Sequence, residues 1–326
     1  MVLADKCLLW LNIHPECMMQ ATVYKSTGSW YLVKDEAGLF HQARIKGKFK
    51  IGKLSSTNPI AVGDEVVIEK ETASDDYMIV EIQPRKNYIN RTSPHNKNQQ
   101  HIVASNLDQS ILLATYKEPK TSTGFIDRFL VTSEAYQVPA ILVFNKTDLL
   151  NDKEREGLNE VLNRYTQIGY QTLTMSLTTE RGADQLEQVL AGKRTLISGH
   201  SGVGKSTLIN RIYPDFHLKT QDVSSWSGKG MHTTTFAEMF DLISGSGSVI
   251  DTPGIRELGL FKMEKTELAH FFPEMRSRMN DCQFNNCLHV NEPNCAIKNA
   301  VLTNGIDEER YMSYLNILDS LESGSF

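Results

Sequence analysis

The chain has 326 residues, of which 40% are hydrophobic and 22% are charged, and its formal net charge is −5. This much apolar material is sufficient for two or three folded domains, because a single core rarely serves more than ~200 residues. The negative total excludes a protein that is basic over its whole surface, although a basic patch on one domain would not show in the sum.

The sequence also bears on the compartment. No apolar run approaches the ~20 residues that a helix needs to cross a bilayer, and the opening residues lack the features of a secretion signal. There are five cysteines, and three of them fall within fourteen residues, which favours reduced thiols and a metal over secreted disulfides. We therefore expect a cytoplasmic protein with no membrane partner.

Short segments with β character fill the chain from about residue 21 to residue 81, separated by Gly, Asn-Pro and Asp-Asp turns. The segments are 21–33, 38–45, 64–71 and 77–82. Together they predict a small all-β barrel or sandwich. The polar residues 93–100 contain little that can pack, and they are predicted to be a linker.

A basic segment lies inside this β region. Residues 44–53 contain five cations and no acid, interleaved with Phe49 and Ile51. Barrels bind RNA through faces of this kind, in which cations meet the phosphates and aromatic side chains meet the bases. An ordinary solvated lysine surface explains the same residues equally well, so both interpretations stay open.

From residue 102 the pattern changes, and apolar runs alternate with segments of helical periodicity. The apolar runs are 109–116, 139–145, 171–176 and 194–199, and the helical segments are 126–138, 153–167 and 182–190. Such alternation predicts a parallel sheet flanked by helices. The sequence pattern changes again after Asp251. This part contains helical segments, a Cys/His cluster and a final amphipathic segment at 308–321, which together indicate a third domain.

Residues 199–206 match the phosphate-loop pattern G-x-x-x-x-G-K-[ST], between a predicted strand and a predicted helix. In such a loop the backbone N–H groups surround phosphates, Lys205 reaches the β- and γ-phosphates, and Ser206 offers its hydroxyl to Mg²⁺. A glycine-rich turn without a ligand is the alternative. The residues predicted to contact the nucleotide here are Gly199, Ser201, Gly202, Val203, Gly204, Lys205, Ser206 and Thr207.

A second motif, Asn145-Lys146-Thr147-Asp148, ends the apolar run at 141–144. The Asp148 carboxylate can accept hydrogen bonds from the ring N–H and the exocyclic amine of guanine, a donor pair that adenine lacks. Asn145 would brace the loop, and the Lys146 stem would lie over the base. Alone, the motif is as compatible with a turn and helix cap. Ser176, at another strand end, is a candidate to present backbone to guanine O6, but serines are common there.

A third motif, Asp251-Thr-Pro-Gly254, also follows a predicted strand. Asp251 is placed for a contact with the magnesium shell, and the Gly254 N–H is placed to sense the γ-phosphate, although a simple exit from the strand would look similar. Between this motif and the phosphate loop, residues 233–235 are three threonines. We expect Thr234 to bind Mg²⁺ together with Ser206.

The order of these motifs is unusual, because the base-reading motif precedes the phosphate loop. The sequence therefore predicts a circularly permuted GTPase. The motifs can still converge, since all of them lie on loops at one edge of the sheet. The switch that follows Asp251 leads directly into the third domain, so nucleotide state is expected to influence the position of that domain.

The third domain carries a candidate metal site. Its spacing is Cys282-x4-Cys287-x-His289-x5-Cys295, which supplies three thiolates and one imidazole within fourteen residues. This is the ligand set of a closed, structural Zn²⁺ site without an open position for catalysis. Free buried cysteines beside a surface histidine are the alternative. Cys7 and Cys17 have no such neighbours and are predicted to be incidental.

These features together resemble one family, the circularly permuted, small-ribosomal-subunit-dependent GTPases (RsgA/YjeQ). The resemblance covers about residues 21–319. It depends on the motif order, on the Cys/His cluster and on four segments, 62–64, 84–87, 199–206 and 228–235. Two residues depart from the family pattern, His200 where Gln is common and Met231 where a basic residue is common.

The resemblance implies an OB-fold that binds RNA at residues 18–92, a permuted GTPase domain at 100–260 and a helical zinc domain at 261–326. It implies a GTPase of late small (30S) subunit maturation that binds the subunit and its rRNA with GTP and is released after hydrolysis to GDP. Ile255 replaces the glutamine that orients water in many GTPases, and His232 corresponds to the family's switch histidine. The catalytic residues would thus be His232, Lys205 and Thr234.

The cofactors expected are one structural Zn²⁺ and the Mg²⁺ that accompanies GTP, and we expect a monomer. Two other functions remain compatible with the motifs themselves. One is a general P-loop ATPase, which would bind ATP as well as GTP. The other is an RNA-binding module with a degenerate nucleotide site, whose hydrolysis small subunits would not raise.

Overall fold

The computed structural model describes residues 18–45, 59–71, 75–92, 100–213, 237–243, 245–251 and 263–322. Its first five strands form a closed barrel: β1 (Met18–Ser26), β2 (Tyr31–Asp35), β3 (Phe40–Ile45), β4 (Glu65–Lys70) and β5 (Tyr77–Ile82). The pairing runs β1-β2-β3-β5-β4 and returns to β1, with only β3–β5 parallel. Val23, Val33 and Ile68 alternate into its interior and are fully buried. The predicted barrel is thus confirmed and has an OB-like topology.

The segment 21–33, predicted as continuous β structure, contains a turn. β1 ends at Ser26 and β2 begins at Tyr31, and Gly28 between them has φ +92°, a backbone conformation that side chains disfavour. The turn was not predicted because the residues before it and after it are apolar. The two groups of residues pack into the same barrel interior.

A two-stranded ladder follows the barrel. It consists of β6 (Tyr88–Thr92) and β7 (Gln100–Ser105), which pair antiparallel across the segment 93–99, and that segment lies outside the described residues. Ser105 Oγ donates to the buried Asp64 carboxylate at 2.6 Å, which also accepts from Arg85 Nε at 2.6 Å. The ladder therefore attaches firmly to the barrel. The strands on the two sides of residues 93–99 are therefore paired with each other.

The central sheet has five parallel strands in the order β10-β9-β8-β11-β13, with β12 antiparallel beside β13. Helices cover both faces, as the alternation of patterns predicted. The strands are β8 (Gln109–Thr115), β9 (Ala140–Asn145), β10 (Gln171–Thr174), β11 (Arg194–Ser198), β12 (Glu238–Asp241) and β13 (Ser248–Asp251). The helices are α1 (Thr123–Ala135), α2 (Asp152–Ile168), α3 (Ala183–Leu190) and α4 (Lys205–Ile212).

Alternate residues of β8 enter the two separate cores of this domain. Leu112 packs with α1 and α2 residues on one face, and Leu113 packs with α3 and α4 residues on the other face. All seven residues of β8 are buried, which explains why its sequence after Gln109 is continuously apolar or small rather than alternating.

The barrel and the central sheet are continuous. β1 pairs antiparallel with β12 at Lys25 and Glu238, so the strands form one sheet of eleven. Side chains strengthen the junction: Lys25 forms an ion pair with Glu238 at 2.8 Å, and the Tyr24 hydroxyl donates to Asp241 at 2.6 Å. The barrel is therefore fixed to the strand that precedes β13.

The carboxyl-terminal region is helical, as predicted. It contains 3-10 turns at Lys265–Phe271 and Met279–Asp281 and helices α5 (Pro273–Arg276), α6 (Ala296–Leu302) and α7 (Glu308–Glu322). Its core includes Val131 from α1 together with Phe272 and Tyr314. The region thus shares its core with the GTP-binding domain predicted before it. Among the described residues, no helix combines the length and the apolar character that a membrane span requires.

Candidate functional site

The predicted nucleotide motifs all lie at one edge of the central sheet. β9 ends at Asn145, β10 leads into Ser176, β11 leads into Gly199, and β13 ends at Asp251. These strands are parallel, so their carboxyl ends lie side by side, where open α/β sheets bind their ligands. The structure therefore brings together segments that are far apart in the sequence.

The phosphate loop has a backbone that requires glycine. Gly199 has φ +150°, and a Cβ atom there would lie 2.4 Å from the Leu113 carbonyl oxygen. Gly204 has φ +108°, and its Cβ would lie 2.5 Å from Asn145 Nδ2. Both positions allow the loop to lie directly against its neighbours before α4 begins at Lys205. The amino terminus of α4 consequently faces the loop, as an anion site needs.

The Lys205 ammonium lies within this loop and donates to the carbonyl oxygens of Gly199 and His200, the latter at 2.8 Å. Burial lowers the pKa of Lys205 from its ordinary value, and the negative charge of Asp251 partly opposes this effect. Among the described residues, the hydrogen-bond partners of this cation are therefore backbone carbonyl oxygens. A phosphate group would replace the two carbonyl oxygens as its partner.

The other residues of the phosphate loop differ in their exposure to solvent. Val203 is buried and anchors the loop in the core below the sheet edge. Ser201, Gly202, Ser206 and Thr207 are exposed on the side open to solvent. The hydroxyls of Ser206 and Thr207 lie in the first turn of α4, where phosphate oxygens and a metal ion can reach them.

Asn145 joins the base-reading loop to the phosphate loop. Its Nδ2 donates to the Val203 carbonyl at 2.9 Å, and its Oδ1 accepts from the Leu177 N–H at 3.2 Å. The side chain is buried, so both contacts occur away from bulk water. The Asn145 amide therefore fixes the relative positions of three loops, which are the base-reading loop, the phosphate loop and the loop after β10.

The loop after β9 positions Asp148 next to Ser176. Thr147 contributes its N–H and its hydroxyl to the Met175 carbonyl, at 3.2 and 3.0 Å. The Ser176 hydroxyl donates to Asp148 Oδ1 at 2.6 Å. Asp148 itself is exposed. Its carboxylate is thus oriented by a buried serine and open to a ligand.

Lys146 takes a backbone conformation that few residues with side chains adopt, with φ +62°. Its Nζ donates to the Glu118 carbonyl at 2.7 Å, in the segment between β8 and α1. The lysine stem therefore spans the space beside Asp148, where a base bound by the Asp148 carboxylate would lie.

Several predicted residues lie outside the described chain. They are the switch residues His232, Thr234, Gly254 and Ile255, the basic residues of 46–53, and Cys7 and Cys17. Of the five cations in the basic segment, only Arg44 is among the described residues. It is exposed and forms an ion pair with Glu71 at 2.6 Å.

The four predicted metal ligands form one cluster. Their ligand atoms all lie within 4.8 Å of one another. His289 Nδ1 is 3.6 Å from Cys282 Sγ and 3.4 Å from Cys295 Sγ, and these two sulfur atoms are 4.0 Å apart. In tetrahedral zinc sites, Zn–S and Zn–N bonds of about 2.3 and 2.0 Å place neighbouring ligand atoms roughly 3.5–3.8 Å apart. The cluster therefore has the size and chemistry of a zinc site.

Burial sets the protonation of this cluster when no metal is bound. It lowers the pKa of His289, which keeps the imidazole neutral, and it raises the pKa of the Cys287 thiol to about 12. Among the described residues, His289 Nε2 has no hydrogen-bond partner, so the polar contacts of the ring are all on the thiol side. A divalent cation would favour the thiolates that burial disfavours.

Residues that the sequence did not single out hold the metal loop in place. Glu292 accepts from the N–H groups of Leu288 and Val290 at 2.7 and 2.8 Å. The hydroxyls of Tyr311 and Tyr314, on α7, donate to the carbonyls of His289 and Leu288 at 2.6 and 2.8 Å. The sequence shows two tyrosines three residues apart on an amphipathic helix, which indicates that they share a face. It does not show which carbonyl groups their hydroxyls contact.

A second group missed from the sequence links this region to α1. Arg310 Nη1 lies 2.6 Å from Asp127 Oδ1, and both side chains are only 1% exposed. Glu274 accepts from Arg310 Nε at 2.7 Å, and the Tyr165 hydroxyl donates to Asp127 at 2.8 Å. Burial alone would lower the pKa of Arg310, but the carboxylates of Asp127 and Glu274 outweigh it and raise the pKa.

Comparisons with known proteins agree with this geometry. The RsgA GTPase domain matches residues 82–261, and the RsgA N-terminal domain matches residues 20–78. A Flavobacterium johnsoniae protein named small ribosomal subunit biogenesis GTPase RsgA is 52% identical, over 93% of this chain and 94% of its own length. A Bacteroides thetaiotaomicron relative, RsgA 2, is 49% identical over 94% of this chain and 99% of its own.

Two solved structures have the same fold. The crystal structure of YjeQ from Thermotoga maritima matches with a TM-score of 0.75 and 32% identity, over 93% of this chain and 98% of that one. YloQ, described as a circularly permuted GTPase, matches with a TM-score of 0.71 and 29% identity, over 95% of this chain and 97% of that one. The permuted order of the motifs and the converging loops have the same explanation: this chain belongs to the RsgA GTPase family and is a GTP hydrolase.

Proposed function

We propose that this protein is a GTPase of late small (30S) ribosomal subunit maturation. It binds the subunit in its GTP state, hydrolyses GTP to GDP and phosphate there, and leaves after hydrolysis. The observation that carries the proposal is the position of Asn145, whose amide joins the base-reading loop to the phosphate loop. The names of the relatives, small ribosomal subunit biogenesis GTPases, support the choice of partner.

In this proposal the guanine base lies against the loops that follow β9 and β10. Asp148 accepts from the two guanine N–H groups, the Lys146 stem covers one face of the base, and Ser176 contributes backbone near guanine O6. The 2.6 Å hydrogen bond from Ser176 to one oxygen of Asp148 supports this assignment, because it fixes the orientation of the carboxylate. Adenine would leave that carboxylate unpaired, which costs binding free energy.

The phosphates lie over residues 199–207. Lys205 contributes a positive charge to the β- and γ-phosphate oxygens, and the loop N–H groups surround them. Ser206 and Thr234 would hold Mg²⁺, which when bound supplies charge that stabilises the phosphates, with Asp251 beside them. His232 orients or deprotonates the attacking water, and the Gly254 N–H contacts the γ-phosphate. The role of His232 depends on the sequence resemblance, and the roles of Thr234 and Gly254 depend on the sequence motifs.

The zinc-ligand cluster has a structural role in this proposal. Cys282, Cys287, His289 and Cys295 would fill all four positions of one Zn²⁺, which leaves none for a substrate. The metal would stabilise a segment that has little core of its own and present it to the small subunit.

The barrel is the proposed rRNA-binding unit. Trp30 and Phe40 are 39% and 49% exposed, which is unusual for large aromatic side chains, and the Arg44 guanidinium lies 5.8 Å from the centre of the Trp30 ring. Aromatic and cationic side chains of this kind stack on bases and contact phosphates. We further propose that the protein acts as a monomer in the cytoplasm, with domains near 18–92, 100–260 and 261–326.

Co-sedimentation with purified small subunits tests the cycle. The protein is mixed with subunits in the presence of a non-hydrolysable GTP analogue, GDP or no nucleotide, and the bound fraction is measured. We expect strong binding only with the GTP analogue. Equal binding in all three mixtures would show that nucleotide state does not govern attachment.

A further inference from the structure

The segment between β8 and α1, residues 116–122, contacts both halves of the nucleotide site. The carbonyl of Glu118 accepts from Lys146 Nζ at 2.7 Å. On the other side, a Cβ atom on Gly202 would lie 3.4 Å from Pro119 Cδ, so the segment packs against the phosphate loop. None of the nucleotide motifs includes this segment, yet it forms a third wall of the site.

A hydrogen-bond chain runs from β8 through this segment to His200. The Thr115 N–H donates to Thr121 Oγ1 at 3.0 Å, and Thr121 Oγ1 is 2.7 Å from His200 Nε2. Because the hydroxyl oxygen already accepts from Thr115, its proton is available for Nε2. His200 Nδ1 lies 3.2 Å from the Ser201 carbonyl oxygen, which can accept a hydrogen bond from an Nδ1–H group. The pattern therefore fits a ring that carries hydrogen on Nδ1.

Packing fixes the same ring. Phe125 contacts the imidazole edge-on, with ring centres 5.8 Å apart and an interplanar angle of 85°. Thr121 is 5% exposed, so its hydrogen bond to His200 has little competition from water. The side chain of His200 is thus held at both nitrogens and by an aromatic neighbour.

His200, whose side chain is fixed by these contacts, also contacts Lys205 through its backbone. The His200 carbonyl accepts from Lys205 Nζ at 2.8 Å, and the Gly199 carbonyl accepts from the same ammonium. A change in the position of His200 would therefore change both the shape of the phosphate loop and the position of its cation.

We propose that His200 is a positioning residue for GTP hydrolysis, which acts through Thr121 to hold the phosphate loop and Lys205 in the conformation that receives the β- and γ-phosphates. The inference rests on the proposed nucleotide site. It gives a role to His200, the histidine that departs from the family pattern. The ring of His200 contacts the buried Thr121 hydroxyl in the segment between β8 and α1.

The test compares three variants, His200→Leu, Thr121→Val and the double variant, with His200→Gln as the conservative replacement. We expect each of the first two to lower kcat/KM for GTP roughly 3- to 10-fold, the worth of one hydrogen bond. Because both remove the same hydrogen bond, the double variant should be no worse than the more defective single variant. His200→Gln should retain most activity, because its side-chain oxygen accepts from Thr121.

Thr166→Val is the matched control, since it removes an exposed hydroxyl near the carboxyl end of α2 whose partner, among the described residues, is Thr172 at 3.0 Å. It should leave kcat/KM unchanged. Unchanged activity of His200→Leu or Thr121→Val, fully additive losses in the double variant, or a loss in His200→Gln equal to that in His200→Leu would each overturn the proposal. If His200→Leu does not fold, His200→Ala takes its place in the comparison, because Thr121→Val also removes the acceptor of the Thr115 N–H.

Lys205→Ala separates this inference from the nucleotide site on which it rests. If Lys205→Ala loses activity and the Thr121 and His200 variants do not, only the positioning role is wrong. If Lys205→Ala keeps full activity, the phosphate-loop assignment is wrong, and the positioning role is wrong with it.

Discussion

The charge of Lys205 is the residue-scale feature with the greatest consequence for catalysis. Its ammonium is half-buried in the loop and bonded to two carbonyl oxygens, which are weak partners compared with phosphate oxygens. Because hydrolysis increases the charge on the phosphate oxygens, this interaction strengthens as the reaction proceeds.

Replacing Lys205 by Ala should therefore lower kcat for GTP by at least about 10²- to 10³-fold, the usual cost of removing one preorganised charge donor. Phosphate release from a fixed GTP concentration measures the effect. Lys153→Ala, which removes an exposed lysine on α2, is the matched control and should keep full turnover. Full turnover by Lys205→Ala would remove the phosphate-loop assignment.

Asp148 governs the choice of base at the same scale. In Asp148→Asn the side-chain oxygen can still accept from Ser176, so the loop should keep its shape. The guanine N–H groups would lose a charged acceptor, worth about 1.5–3 kcal/mol, so the preference for GDP over ADP should fall roughly 10- to 150-fold. Competition between the two nucleotides for a fluorescent analogue measures this ratio.

The control for Asp148 is Glu160→Gln, which neutralises an exposed carboxylate on α2. It should leave the ratio unchanged. An unaltered ratio in Asp148→Asn would contradict the base-reading role.

At the scale of elements, the metal loop between the Met279–Asp281 turn and α6 depends on its ligands for order. Replacing Cys287 by Ser should release the metal and expose the amides of residues 282–295 to hydrogen exchange, because zinc-binding free energy is folding free energy in such segments. Metal analysis of the unaltered chain should give about one zinc per molecule.

Asn286→Ser is the control in the same loop, since Asn286 is exposed and is not among the predicted ligands. It should keep both the zinc and the protection. A zinc-free chain whose amides at 282–295 stay protected would mean that the loop is stabilised by packing alone.

The elements that could be predicted are those whose sequence pattern is set locally. The central residues of β8, β9 and β11 are apolar or small because both faces of these strands are buried. Helix α2 shows a clear helical period and has an Asn151–Glu154 capping box. β6, β7 and β12 were not predicted. β12 has four residues, and its strand state depends on pairing with β1 and β13, which no local pattern records.

The residues of the site that follow directly after strands could be predicted from the sequence. The contacts between side chains that are far apart in the sequence could not. Asn145, Asp148 and Gly199 follow apolar runs, so their common edge could be expected. The Thr121–His200 contact joins residues 79 apart, and the Asp127–Arg310 contact joins residues 183 apart. Neither pair forms a motif, because the fold and not the spacing brings its members together.

At the scale of the whole molecule, the buried cluster around Arg310 fixes the zinc-binding region to α1. The guanidinium lies between Asp127 and Glu274 and over the ring of Phe272, 4.6 Å from its centre. α1 begins directly after the segment that contacts the phosphate loop. The third domain is therefore fixed to the helix that follows the segment packed against the phosphate loop.

Removing one partner of this buried cluster should be costly. We expect Arg310→Met to lower the free energy of unfolding by about 3–5 kcal/mol, because Asp127 would remain charged, buried and without its ion-pair partner. Urea denaturation of the full chain measures this. Arg278→Met, at an exposed position, is the control and should change stability by less than about 0.5 kcal/mol.

In the double variant with Asp127→Asn the loss should be smaller than the sum of the single losses, since the buried charge is removed as well. Additive losses would show that the two side chains act independently despite their 2.6 Å contact.

The central claim is that distant loops form one guanine-nucleotide site whose hydrolysis serves the small ribosomal subunit. The most direct measurement is steady-state turnover of GTP and of ATP by the full chain with magnesium, with and without purified small subunits. The account predicts slow GTP turnover that small subunits accelerate, and no comparable turnover of ATP. GTP turnover that subunits leave unchanged, or ATP turnover as fast as that of GTP, would contradict it.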